Sequence, residues 1–203
     1  MDTTKIRLSP EEGALVISAD WILTKNSVIQ KTIQLLASLQ TQQEILLLTY
    51  KGILPGEIIN SSSKISKGEN YKGLPYLVLD YPRYFNKEDT FAIRMFFWWG
   101  NFFSGTLHLS GIYKRMYEEK IIQSFETLKT EGFSICINED QWEHHFEITN
   151  YLPLHSLTSY QFEEMINRKP FIKLSKKISL EQWNSAEKKL LEIFSHIIIT
   201  LSY

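Results

Sequence analysis

The chain has one cysteine, Cys136, among 203 residues, and only 9 glycines and 6 prolines. A lone thiol makes no intramolecular bridge, which excludes a disulfide scaffold and fits a reducing compartment. So little glycine and proline excludes a collagen-like or low-complexity chain. Neither sign of charge is in excess: 22 basic and 23 acidic side chains leave a formal net charge of −1. Nucleic acids and anionic membranes call for a dense cationic surface, so neither is an expected partner. Lys64, Lys67, Lys72 and Arg83 lie among aromatics that could stack on bases, but the overall acidic balance outweighs them. No run reaches the about 20 unbroken apolar residues of a membrane helix. The richest stretch, residues 91–109, is interrupted by Arg94, Asn101 and His108. Asp2, Lys5 and Arg7 precede any apolar segment, so the start lacks the hydrophobic core of a secretory signal, and a cytoplasmic location is expected.

Catalytic signatures are missing too. There is no glycine-rich phosphate loop, no G-x-S-x-G elbow, no H-E-x-x-H helix and no calcium-loop spacing. Cys136 lies in the apolar run 133–137 with no neighbour to lower its pKa, and reads as a small buried hydrophobe. The nearest approach to a metal site is His144, His145 and Glu147, with His155 further on. On a strand only His145 and Glu147 would share a face, short of the three or four ligands that zinc takes. A polar sheet face with solvated imidazoles is the plainer reading, and no metal or other cofactor is expected.

What is present is the composition of a globular protein: 43% hydrophobic and 22% charged side chains. At this length about 70% of the unfolded surface can be buried, enough for a core without staples. At four places a Ser or Thr ahead of a helix-like segment is followed three positions later by Glu or Gln, a pattern in which two side chains satisfy orphan N–H groups at a helix start. Ser9, with Pro10 at the first helical position, predicts a helix running through Trp21. Ser27 predicts a second one to about Leu48, Thr158 a short helix to about Arg168, and Ser179 the last helix. In that last helix Trp183, Ala186, Leu190, Phe194, Ile197 and Leu201 fall on one face, leaving Glu187, Lys188 and Glu192 for water. Ile112, Met116, Ile121, Phe125 and Leu128 predict a central helix ended by Gly132.

Aromatic and branched residues predict strands at 76–80, 91–99, 102–110, 133–137, 142–149 and 171–174. Gly100-Asn101 suits a two-residue turn, which would set Trp99 opposite Phe102 and Trp98 opposite Phe103. Asn138, Glu139 and Asp140 would turn a second hairpin. The expected fold is α+β: an antiparallel meander of about five or six strands, flanked by an N-terminal helical pair, a central helix and a C-terminal amphipathic helix. A single domain is expected, with the helical pair at about 9–49, a long loop at about 51–74 and the sheet with its helices at about 75–203.

The aromatic hairpin and the Lys- and Gly-rich loop before it hold the densest mixture of rings and charges. In the two-residue register Ala92, Arg94, Phe96 and Trp98 share a face with Phe103, Gly105, Leu107 and Leu109. Arg94 is then a guanidinium in an apolar row and needs a carboxylate such as Asp80, or a ligand anion. A functional reading groups Tyr71, Asp80, Arg83, Arg94, Trp98, Trp99, Asn101 and His108 as the ligand- or partner-binding residues. A structural reading makes the same rings core and the Asp80–Arg94 pair a device that fixes strand register. A third makes the segment an interface, because Trp, Tyr, Phe, Met and Arg are the types enriched at protein contacts. The leading expectation is a non-catalytic binding or assembly module for a protein partner, a second copy or a small molecule. The alternative is a small intracellular enzyme with an acid/base pocket built on His108, Asp80 and Arg94, or on His145 and Glu147.

Overall fold

A computed structural model describes residues 6–50 and 52–202. The expectations placed on Asp2, Lys5 and the first residue of the long loop fall outside them. Three helices come first: α1 (Pro10–Ile17), α2 (Ala19–Thr49) and α3 (Gly56–Ile59). Four strands follow, β1 (Lys64–Tyr71), β2 (Leu74–Phe85), β3 (Thr90–Trp98) and β4 (Phe102–Ser110), then α4 (Gly111–Gln123) and α5 (Phe125–Thr130). The remainder is β5 (Ser134–Cys136), β6 (Tyr151–Pro153), α6 (Ser159–Arg168), β7 (Phe171–Ser179) and α7 (Ala186–Ser202). Among the described residues the fold is α+β, with seven strands in one antiparallel sheet ordered β1-β2-β3-β4-β7-β5-β6. No helix among the described residues is long and apolar enough to cross a membrane.

Local chemistry explains some of the helix limits. Ser9 and Glu12 form the expected capping box, and Thr158 and Gln161 form another. Ser27 does not start a helix. It lies inside α2, whose stripe of Ile29, Thr32, Leu36, Leu39, Gln43 and Leu47 packs inward, and the break between the first two helices falls at Ser18 instead. An apolar stripe that continues through a capping pattern outweighs it, because tertiary burial supplies most helix stability. The central helix is broken at Ser124 into α4 and α5, and Gly132 takes the positive φ of 76° expected after a helix. Leu180–Ser185 is a 3-10 turn, so α7 begins at Ala186. Glu187 is half-buried rather than solvated, accepting hydrogen bonds from Ser38 at 2.6 Å and from Gln42 of α2.

Three strand expectations are corrected. The long loop at 51–74 instead contains α3 and the edge strand β1. The segment 142–149 is not a strand: β5 pairs with β6, Ile135 opposite Leu152, and residues 137–150 cross the sheet as a strap. The β3–β4 register is displaced by one residue, with Trp98 opposite Phe102 and Phe97 opposite Phe103 around a three-residue connection at 99–101. Burial decides that register. The two-residue turn would have placed Ser104, Thr106 and His108 beside Ile93, Met95 and Phe97, whereas the observed one gathers Phe103, Leu107 and Leu109 with them beneath the helices. The opposite face then carries Ala92, Arg94, Phe96, Trp98, Phe102, Ser104, Thr106 and His108.

Gly105 marks where α7 lies closest to the sheet: a Cβ added there would stand 2.5 Å from Ile193 Cγ2. Gly105→Ala is expected to destabilise by about 1–3 kcal/mol through overpacking. Urea unfolding of the single variants and of Gly105→Ala with Ile193→Ala should show less than additive costs. Full additivity would mean the two positions do not meet.

Candidate functional site

The polar face of the sheet lies under the strap. Three adjacent strands each send a nitrogen-bearing side chain that hydrogen-bonds to the strap: Arg94 from β3, His108 from β4 and Lys173 from β7. Lys173 is 1% exposed, and its Nζ donates to the strap carbonyls of Gln141 at 2.9 Å and Glu143. Burial pulls the Lys173 pKa down to about 8. His108 donates from Nε2 to the Gln141 side-chain oxygen at 2.7 Å. Burial, with Lys173 nearby, depresses its pKa to about 3, so the ring is neutral at pH 7. Arg94 grips Asp80 with two parallel bonds, Nε to Oδ1 at 2.7 Å and Nη2 to Oδ2 at 3.0 Å, across the β2–β3 ladder. Its third nitrogen, Nη1, donates to His144 Nε2 at 3.2 Å. Burial, then Lys173 and Arg94, hold His144 well below the usual imidazole range.

Tyr71, at the end of β1, is the hub of the other half of the strap. Its hydroxyl donates to Glu143 Oε2 at 2.8 Å and accepts from the backbone N–H groups of His144 at 2.8 Å and His145 at 3.0 Å. Burial raises its pKa to about 12. Trp98 donates from Nε1 to the Tyr71 carbonyl at 3.2 Å, and the two rings meet edge-on at 4.9 Å. With Trp98 at 7% and Phe96 at 1% exposure, this part of the hairpin is closed to solvent. His145 is buried between the carboxylates of Glu143 at 3.4 Å and Glu147 at 3.7 Å. Cys136 is buried with its Sγ 3.5 Å from Asn150 Oδ1, and burial raises its pKa. Among the described residues no three His, Cys, Asp or Glu side chains gather as metal ligands.

The eight residues expected to bind therefore divide into separate places. Tyr71, Asp80, Arg94, Trp98 and His108 lie under or beside the strap, Arg94 and His108 with different partners. Arg83 ties down the chain ahead of β1, donating from Nε to the Ser62 carbonyl at 2.9 Å. Asn101 is exposed, but its Nδ2 donates to the Trp99 carbonyl at 2.9 Å inside the connection it belongs to. Two of the eight reach open depressions: Asn101 borders one of about 410 Å³ with Lys177, Ser179 and Gln182, and Trp99 borders a groove under α2. That groove, about 370 Å³, runs beneath the N-terminal end of α2 and is walled by Trp21, Ile22 and Lys25 on one side and Leu74, Pro75 and Trp99 on the other. Lys25 is neutralised by Glu69 at 2.7 Å. A larger depression of about 620 Å³, between the far end of α2 and Tyr81, holds none of the eight.

Sequence reasoning missed Lys173, the strap residue Gln141, and Trp21 with Ile22. Signals existed for two of these. Lys173 interrupts the apolar strand Phe171-Ile172-Lys173-Leu174, and Trp21-Ile22-Leu23 puts three consecutive large apolar side chains on a helix, which cannot all face one core.

Two expectations follow from the covered face. Asp80→Asn should destabilise by about 3 kcal/mol, because it leaves the Arg94 charge short of its partner, whereas Asp80→Leu combined with Arg94→Met should cost less than the sum of its parts. Equal sums in urea unfolding would show the pair to be uncoupled. His108 is a base whose folded pKa, about 3, lies below the ordinary 6.5. Between those values the unfolded chain binds a proton that the folded chain refuses, so stability falls as pH is lowered through the window, by about 1.4 kcal/mol per unit for one proton. His108→Gln, which keeps a donor for Gln141, should flatten that slope between pH 6 and 4.5, and an unchanged slope would contradict the assignment. Compared with known proteins, the chain matches no protein-family model, no curated protein and no solved structure, which leaves the groove and the strap-covered face to be read from their own geometry.

Proposed function

We propose that the chain is a non-catalytic binding or assembly protein whose contact surface is the groove at Trp99 together with the exposed start of α2. One observation carries this reading. Trp21, Ile22 and Leu23 are 44%, 49% and 63% exposed, and no residue of α2 before Ile29 is buried, although three large apolar side chains stand there in succession. Scattered exposed apolar residues need no explanation, but a contiguous group beside a groove marks an interaction site. Two tryptophans, Trp21 and Trp99, face the same groove, and tryptophan is the residue type richest in contact energy at protein interfaces. The hairpin and its preceding loop take part through Trp99, Leu74 and Pro75, while Trp98 and Tyr71 support them from behind.

The reading is tested with a photo-reactive benzophenone side chain placed at Ile22 and, as a control, at Tyr160, which is 69% exposed on α6. Illumination of cells that make the protein should give protein adducts at position 22 and none at 160. Absence of adducts at position 22 would overturn the reading.

A further inference from the structure

We propose that the groove beneath α2 receives helix α1 of a second copy of this chain, the reciprocal contact closing a two-fold dimer. The proposal rests on the reading of that groove as a contact surface and names its partner. Helix α1 buries none of its residues, and its last turn presents Leu15, Val16 and Ile17 at 50%, 72% and 86% exposure. An isolated helix of eight residues is marginal in water, so this one needs a seat. Its own groove cannot supply it. Ser18 alone joins α1 to α2, and two helices need a connection of about 2–5 residues to lie back against each other. A second copy has no such restriction.

Charge and area agree with that partner. Helix α1 carries Glu11 and Glu12 in its first turn, while at the groove Lys25 and Lys67 share the single carboxylate of Glu69, at 2.7 Å and 3.7 Å, which leaves one cation in excess. Glu69 is the one acidic side chain lining the groove and is engaged by both lysines, so the glutamates of a second copy's α1 meet no free carboxylate there. Leu15, Val16, Ile17, Trp21, Ile22 and Leu23 are between 44% and 86% exposed. At about 100 Å² for each such side chain they offer about 600 Å². Summed over both copies this is about 1,200 Å², the lower end of a standard interface.

Sedimentation velocity over a concentration series tests this on the purified full chain. Native protein should show a concentration-dependent dimer. Val16→Asp with Ile17→Asp should weaken association at least tenfold, while Ile148→Asp, on the exposed outer side of the strap, should leave it unchanged. Circular dichroism confirms folding, which the α1 variant is expected to keep because it replaces no buried side chain. A native chain that stays monomeric throughout, or a dimer indifferent to the α1 substitutions, overturns the proposal. A monomer that still gives adducts with another protein at Ile22 overturns this partner alone and leaves the contact surface standing.

Discussion

Two cations, Lys173 fully buried and Arg94 largely so, sit on the strap-covered face of the sheet, and the remaining architecture of that side follows from the need to partner them. An unpartnered charge in such a place costs several kcal/mol. Arg94 is answered by Asp80 across the ladder and by His144 from the strap, and Lys173 by two strap carbonyls. The strap can offer carbonyls because its backbone is not engaged in a strand ladder, which is why a segment rich in strand formers is left irregular. Tyr71 completes the arrangement by accepting two strap N–H groups that would otherwise be orphaned. Neutral His108 and His144 add hydrogen bonds without adding charge.

The same need sorts what could and could not be read from the chain. The α+β class, the two capping boxes and the inward face of α7 were legible because each is a local or periodic signal that one segment carries by itself. The Asp80–Arg94 pair was legible as well, since a guanidinium in an apolar run demands a carboxylate nearby. The β3–β4 register was not. It depends on which face of β4 suits the helices, a comparison between distant segments, and the Gly100-Asn101 dipeptide pointed to a connection one residue too short. Residues 142–149 misled for a similar reason: their aromatic and branched composition fits a strand, but the donors and acceptors that hold them belong to Tyr71 and Lys173, far away in sequence.

Of the expected binding residues, those with the most suggestive chemistry became the most covered. Arg94, Asp80 and His108 look like a pocket in one dimension because charge and imidazole among rings are what a pocket needs. They equally resemble what a buried polar layer needs, and only the strap decides between the two. Trp99 escaped that layer because the three-residue connection turns it to the helical side of the sheet edge, where its ring packs partly against the main core and partly faces the groove.

Helix α2 makes this division physical. From Ile29 onward its stripe is core, so its position on the sheet is fixed by buried side chains. The same stripe continues backwards through Lys25 and Ile22, at spacings of three and four, beyond the point where the body can cover it. A helix held rigidly at one end thus carries its apolar stripe out over Trp99, Pro75 and Leu74 without closing on them. Had α2 begun at Ser27, as its capping pattern suggested, Trp21 and Ile22 would have had no rigid support. The groove exists because a helix anchored in the core overruns it by ten residues, from Ala19 to Val28.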